Sequence, residues 1–418
     1  MRSGEKNKMY IFNSKCKINK IKHILTLMVV LPIILAHTNM VMQTSLSLVW
    51  EKDLGDNVWS IGWFPDGSKL LVTGSFGKVI IFSASGIKIR EVSLSSKVDG
   101  LSFAPDGKFA VGTLGEGKVY VYSPEANLLW QSTTLGKSIE TTDWSHDGTK
   151  LVVGTYGNYK VILYKWLDKS AQKIWEVRVS DSIRSVRFSP DGNTIAVGTS
   201  DGKIYMISSD SGSILWYKTL SNGNIPDISW SPDGSKLAVL TADNGLYVLS
   251  VNGKILYHVD LGGRGPAQGI LWYEDYIIVG DHKGNIVFTK WFNNRLSILY
   301  TSKIANAEID NRGIAMHPNG KYLAVGSFDN HIRVYDVSEI LKSKENTITI
   351  TITSTATVTS TKTITETQMF TVTSIITKTI TLTKTHITEF GEWKNIIIAT
   401  LLALAMVFLG AILGWIRR

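Results

Sequence analysis

Between residues 47 and 337 the apolar positions come in short blocks, never in a sustained helical period. Some blocks are continuous, as in Leu70-Leu71-Val72 and Val79-Ile80-Ile81-Phe82; others alternate, as in Ile183-Arg184-Ser185-Val186-Arg187-Phe188. Blocks this short, bounded by Gly, Pro, Asp and Ser, predict β-strands, and the continuous ones predict strands buried on both faces. The punctuation repeats. Phe64-Pro65-Asp66-Gly67 recurs as Ala104-Pro105-Asp106-Gly107, Ser145-His146-Asp147-Gly148, Ser189-Pro190-Asp191-Gly192, Ser231-Pro232-Asp233-Gly234 and His317-Pro318-Asn319-Gly320, with Tyr273-Glu274-Asp275 in the remaining gap. From Asp66 to Asn319 the steps are 40, 41, 44, 42, 42 and 44 residues. Seven units of that length predict an all-β chain built as a seven-bladed β-propeller.

Each unit reads as four strands. In the fourth, residues 183–188, 194–198, 203–207 and 213–219 are separated by Pro190-Asp191-Gly192 and Asp201-Gly202, residues whose backbone preferences suit tight turns. The seventh unit has three strands and no fourth. A spare block at residues 47–54 (SLVWEKDL) resembles the other fourth strands, and is expected to close the last blade as its outermost strand.

The Ser-Pro-Asp-Gly turn in its hydrophobic frame, residues 183–192, resembles the WD40 and YVTN-type repeat families over about 290 residues. The Gly-His pair of standard WD40 repeats is missing, and only Tyr335-Asp336 approximates the Trp-Asp ending. Several fourth strands carry Trp instead (Trp50, Trp130, Trp175 and Trp216), and Asp210-Ser211-Gly212-Ser213-Ile214-Leu215-Trp216 looks like the blade-docking segment of quinoprotein-type propellers. The resemblance implies a divergent or hybrid propeller and no function of any one family.

The flanks differ from this body. Residues 1–42 begin with seven basic residues and one acidic, followed by an apolar run at 24–36. That layout predicts a secretory signal or a retained signal-anchor. Residues 396–416 carry no charge, bear Trp393 and Trp415 at their margins and end in Arg417-Arg418. Such a run is about 31 Å long as a helix, and predicts a membrane span with the basic tail inside. The chain thus divides into 1–42 (signal), 43–341 (propeller), 342–393 (Thr-rich stalk) and 394–418 (span and tail). The expected placement is the plasma membrane, single-pass with the propeller outside, or two-pass if the N-terminal segment is retained.

The net charge of +9 belongs to these flanks, because residues 43–341 hold 29 basic and 30 acidic side chains. A near-neutral body gives no footprint for a phosphate backbone and argues against nucleic acid. The single cysteine, Cys16, precedes the body, so neither disulfides nor thiolate chemistry is expected there. In the stalk every odd position from 347 to 367 is Thr. This reads as a spacer, open to O-glycosylation, while the alternation also fits a β-hairpin. A Thr-rich spacer before a terminal apolar run resembles archaeal surface proteins in composition.

No catalytic motif, metal-ligand spacing or cofactor loop is found, so no cofactor is expected. The repeat frame instead marks one variable residue after the first apolar anchor of each inner strand: Trp59, Asp99, Glu140, Arg184, Gln268 and Arg312. These are expected at the rim of the central channel, as a site for an extracellular protein or glycan. Two alternatives stay open: a quinoprotein-like or lyase-like enzyme, and a structural component of the cell envelope.

Overall fold

The computed structural model describes residues 46–261, 267–310, 312–342, 350–361 and 371–382. The expected signal (1–42) and membrane span (394–418) lie outside the described residues. Among the described residues no helix is long and apolar enough to cross a membrane.

Seven four-stranded antiparallel sheets follow one another along the chain. Blades 1 to 6 begin at Val58, Val98, Ser138, Ile183, Ile228 and Ala267, and each runs from an inner strand outward in sequence order. Blade 7 consists of Ile314–Met316, Tyr322–Gly326 and His331–Asp336, and its outermost strand is Ser47–Asp53, paired antiparallel with His331–Asp336. The expected closure is present.

The turns work as their residue types dictate. At Asp66 the carboxylate accepts the Ser68 N–H (2.9 Å), and Gly67 takes a φ of +70°. Asp147, Asp191 and Asp233 accept the N–H two residues on at 3.0 Å each. The hydrogen bond from the Ser231 hydroxyl, and those from Ser235, hold Asp233 down at about 2.

Seven apolar clusters fill the spaces between blades, and each joins one blade to the next. The cluster holding Val58, Leu70 and Phe82 of blade 1 also holds Ala324, Ile332 and Val334 of blade 7, so the ring is closed by packing as well as by pairing. The fourth-strand tryptophans dock across these joints. Trp50, Trp175 and Trp216 donate their indole N–H to Ala84, Ser209 and Val251 carbonyls of the following blade (2.9, 2.9 and 3.0 Å). The Trp175 ring lies where a Cβ on Gly212 would stand, 2.9 Å from it, and Gly212 has a φ of +73°. Both facts demand glycine at that position. Trp130 packs on Tyr164 instead (5.4 Å between centroids).

A short helix, Ser338–Lys342, follows blade 7. In the Thr-rich segment Ile350–Thr361 pairs antiparallel with Thr371–Leu382, so its backbone takes the hairpin reading of the alternation.

Candidate functional site

Inner strands start, and second strands end, at one end of the ring; this end is the channel mouth. At that start the ladder is broken in several blades. The register shifts between Val58 and Ser60, Ile183 and Ser185, and Ala267 and Gly269, leaving Trp59, Arg184 and Gln268 as bulge residues. A similar irregularity spans Glu140, between Ser138 and Thr141. A bulge frees the side chain from the sheet faces and re-aims it. The next place along is held by small residues in most blades (Ser60, Gly100, Thr141, Ser185, Gly269), which lets the strands crowd the axis.

The structure brings four of the six expected residues together. Arg184 pairs with Glu140 of the neighbouring blade at 2.5 Å. Asp99, 7% exposed, accepts the Ser60 hydroxyl (2.9 Å) and lies in the field of Arg312 and Arg184. Trp59 stands apart from them, half-buried, with the Lys97 ammonium 5.7 Å from its ring centroid. Gln268 is 3.5 Å from His282, whose Nδ1 lies 2.6 Å from Glu308.

Arg312 departs from its expected place. Counted back from the turn it is level with Arg184, but the blade 7 anchor is Ile309, fully buried and donating to the Asp281 carbonyl (3.1 Å) as Ile225 donates to Thr199 (3.0 Å). Two extra residues are therefore absorbed before the strand. They carry Arg312 inward, where it is 6% exposed and reaches across the ring to blades 2 and 3. Its Nη2 donates to the Thr141 hydroxyl, and Nη1 lies 3.5 Å from the Leu101 and Thr142 carbonyls. Arg312 is a plug in the channel and not a rim residue.

Sequence reasoning missed the rest of the plug. Arg187 pairs with Asp227 at 2.7 Å, and Asp227 also accepts the Ser185 hydroxyl (3.2 Å) and the Ile270 N–H (3.3 Å) of the next blade. Asp143 accepts the Phe188 N–H (2.7 Å). Aligned units did hold a signal: Asp143 and Arg187 stand at the same place in adjacent blades with opposite charge, and Asp227 is a charge where neighbours are small. Three arginines thus meet four carboxylates. Burial raises Asp99, Asp143 and Asp227 against the pull of the arginines. Burial together with Arg187 lowers Arg312 to about 10, leaving it charged at neutral pH.

Glu140 of this cluster titrates near neutrality. Burial pushes it up to about 7 in spite of Arg184. Between its ordinary value of 4.5 and 7 the folded chain holds the proton more tightly than the unfolded chain. Its contribution is therefore greatest at low pH and is lost as pH rises through 7. Relative to Glu140→Gln, the native chain is expected to gain on the order of 2–3 kcal/mol as pH falls from about 8 to 5. Urea midpoints of both chains across that range check it; parallel profiles would contradict the burial of this carboxyl.

The channel groups are drawn together, with the Nε of Arg184 and of Arg312 buried without a hydrogen-bond partner, and the mouth around them is aromatic. Phe76, Tyr156, Tyr159 and Phe328 lie at the mouth end with Trp59, and Tyr156 is 37% exposed. The opposite end carries the self-capped Asp-Gly turns. Among the described residues no cluster of His, Cys, Asp and Glu could hold a metal ion.

Comparison with known proteins adds to the docked tryptophans. Residues 40–224 and, overlapping them, 115–293 match the family model described as outer membrane protein assembly factor BamB, a PQQ-type repeat. The two stretches together cover more than half of the chain. The chain belongs to this quinoprotein-like propeller family. Residues 308–336 of this quinoprotein-like propeller also match the WD domain, G-beta repeat model. A curated relative, echinoderm microtubule-associated protein-like 2 of Rattus norvegicus, is 28% identical over 147 residues. That stretch is 34% of this chain, and the chain spans only 22% of the relative's length.

Proposed function

We propose that this propeller is a protein-binding scaffold held at the cell surface, and that it engages its partner with the channel-mouth end. The observation that carries the reading is the asymmetry of the two ends. The mouth presents Trp59, Phe76, Tyr156, Tyr159 and Phe328 around the Arg184–Glu140 pair, side-chain types that anchor interfaces, while Arg312 fills the channel behind them. A filled channel with an aromatic mouth suits a broad partner surface, an exposed protein segment or a glycan, more than a small substrate. The matching assembly-factor model and the microtubule-associated relative are both named for macromolecular partners. The surface placement follows from residues 24–36 and 396–416, read as signal and span, with the Thr-rich segment between propeller and membrane.

The test is retention of a partner by the full-length chain solubilised from membranes, beside the Trp59→Ala/Tyr156→Ala double variant. Two aromatic anchors of an interface, one half-buried and one exposed, should together cost roughly tenfold or more in affinity, with the chain still folded. Equal retention by the folded double variant would remove the mouth as the binding surface.

A further inference from the structure

The mouth is not uniform around its circumference. Lysines at the start of third strands, Lys78, Lys118, Lys160 and Lys203, each hold a carboxylate, at 2.6, 2.6, 2.7 and 2.5 Å. Lys97 and Lys137, on the connections leading into blades 2 and 3, are both exposed, and neither enters an ion pair among the described residues. The carboxylates on their side of the mouth are engaged elsewhere. Asp56, in the field of Lys97, accepts the Ser75 hydroxyl and the Asn57 N–H (2.8 Å). Glu116 accepts from Lys118, the Tyr120 hydroxyl and the Ser95 hydroxyl (2.6, 3.0 and 3.1 Å).

Backbone hydrogen bonds set the two lysines in one row. The Lys97 carbonyl accepts the Leu114 N–H (2.9 Å), the Lys137 carbonyl accepts the Gly115 N–H (3.0 Å), and the Lys137 N–H donates to the Tyr156 carbonyl (3.1 Å). The Lys97 ammonium lies 5.7 Å from the centroid of Trp59. The Lys137 stem packs where a Cβ on Gly157 would stand, with its Cδ 3.0 Å away, so this side chain runs beside Tyr156. The rim of blades 1 to 3 therefore reads Trp59, Lys97, Leu114, Lys137, Tyr156, apolar and basic side chains in alternation. The rim of blades 4 and 5 is its opposite. Residues 179–182, 200–202, 220–227 and 242–244 contain no aromatic and no basic residue, and they carry Asp181, Asp201 and Asp243.

A partner that covers Trp59 and Tyr156 also covers the lysines between them. An ammonium taken out of water is costly unless a counter-charge meets it, so the partner must bring carboxylates with its apolar side chains. A long polyanion fits less well. It would run on to the sector of Asp181 and Asp243, where like charges face it, and the near-neutral body has no surplus of positive charge to hold it. We propose that the rim of blades 1 to 3 is the gripping half of the mouth, and that it takes a protein segment in which a few carboxylates stand among apolar side chains, set on Lys97 and Lys137. This rests on the reading of the mouth as the binding end and names the chemistry of what binds there.

The test pans a phage-displayed library of random peptides on the full-length chain in detergent, beside the folded double variants Lys97→Glu/Lys137→Glu and Trp59→Ala/Tyr156→Ala. Enriched peptides should combine Asp or Glu with apolar residues. Made synthetically, they should bind the lysine variant roughly tenfold or more weakly than the native chain, and lose affinity as salt rises. Lys97→Gln/Lys137→Gln should fall between the two. Neutral or basic peptides that need Trp59 and Tyr156 but ignore the lysines would overturn this chemistry and leave the mouth as the binding end. Enrichment of no peptide that depends on Trp59 and Tyr156 overturns both readings. Displacement of the acidic peptides by a hexuronate oligosaccharide at equal or lower concentration would overturn the proposal and assign the row to an acidic glycan.

Discussion

Removing Ser47–Asp53 is expected to abolish the cooperative unfolding of the propeller, the largest effect the structure foresees. The strand supplies the outer ladder of blade 7, paired from Ser47–Asp336 to Asp53–His331. It also carries Trp50, docked over Gly86 and bonded to the Ala84 carbonyl, and Glu51, 2.9 Å from Arg333. A ladder of this length at about 0.5–1.5 kcal/mol per hydrogen bond, with one large side chain at about 1.5–3 kcal/mol, is on the order of 5–10 kcal/mol. That is comparable with the whole stability of an ordinary domain, about 5–15 kcal/mol. The loss would also expose the edge of His331–Asp336, an invitation to aggregation. Urea unfolding followed by tryptophan fluorescence is the check. A truncated chain with an unchanged midpoint would mean that the joint between blades 7 and 1 holds without its strand.

Arg312→Met should lower stability by about 3–5 kcal/mol, the cost of removing one partner from a buried ionic cluster. Methionine follows the arginine stem only as far as Nε, so the apolar stem is kept and the guanidinium with its hydrogen bonds is removed. What changes is charge: Asp99, Asp143 and Asp227 keep their burial and lose a common counter-ion. Two consequences separate this account from loss of packing. The deficit should shrink as pH falls, because the orphaned carboxyls, already raised, then bind protons more readily in the folded chain. It should also shrink when Asp99→Asn is added. Denaturant midpoints of the single and double variants, at neutral and acidic pH, measure both. A deficit independent of pH and of Asp99 would make Arg312 a spacer and not a counter-ion.

The blades were legible because their signals are local. Pro-Asp-Gly turns cap themselves within three residues, and each strand's apolar pattern reports its own burial, so unit number and closing strand follow from the chain alone. The channel was only half legible. Trp59, Glu140, Arg184 and Gln268 do fall at the broken start of their strands, since the ladder of each of those four blades shifts register there. Arg312 does not, because a repeat length counts extra residues without saying where the fold absorbs them. The step of 44 into blade 7 equals the step into blade 4, and both contain a long outer hairpin, at 292–295 and 167–170; blade 6, however, has a turn cut to Glu274-Asp275, and the excursion before Gly313 restores the count. The Arg187–Asp227 pair was hidden for another reason. Its partners are 40 residues apart, and only the curvature of the ring brings them together. In the Thr-rich segment the composition favoured a solvated spacer over a hairpin, and the backbone of residues 350–361 nevertheless pairs antiparallel with that of 371–382.

The claim that joins these observations is that the mouth is the binding end. It is tested most directly by placing a photoreactive residue at Tyr156, and separately at Asp233 among the far turns, in the full-length chain in its native membranes. Irradiation should give a discrete protein adduct from position 156 and none from position 233. An adduct from 233 with none from 156 would contradict the account and move the interaction surface to the opposite end of the ring.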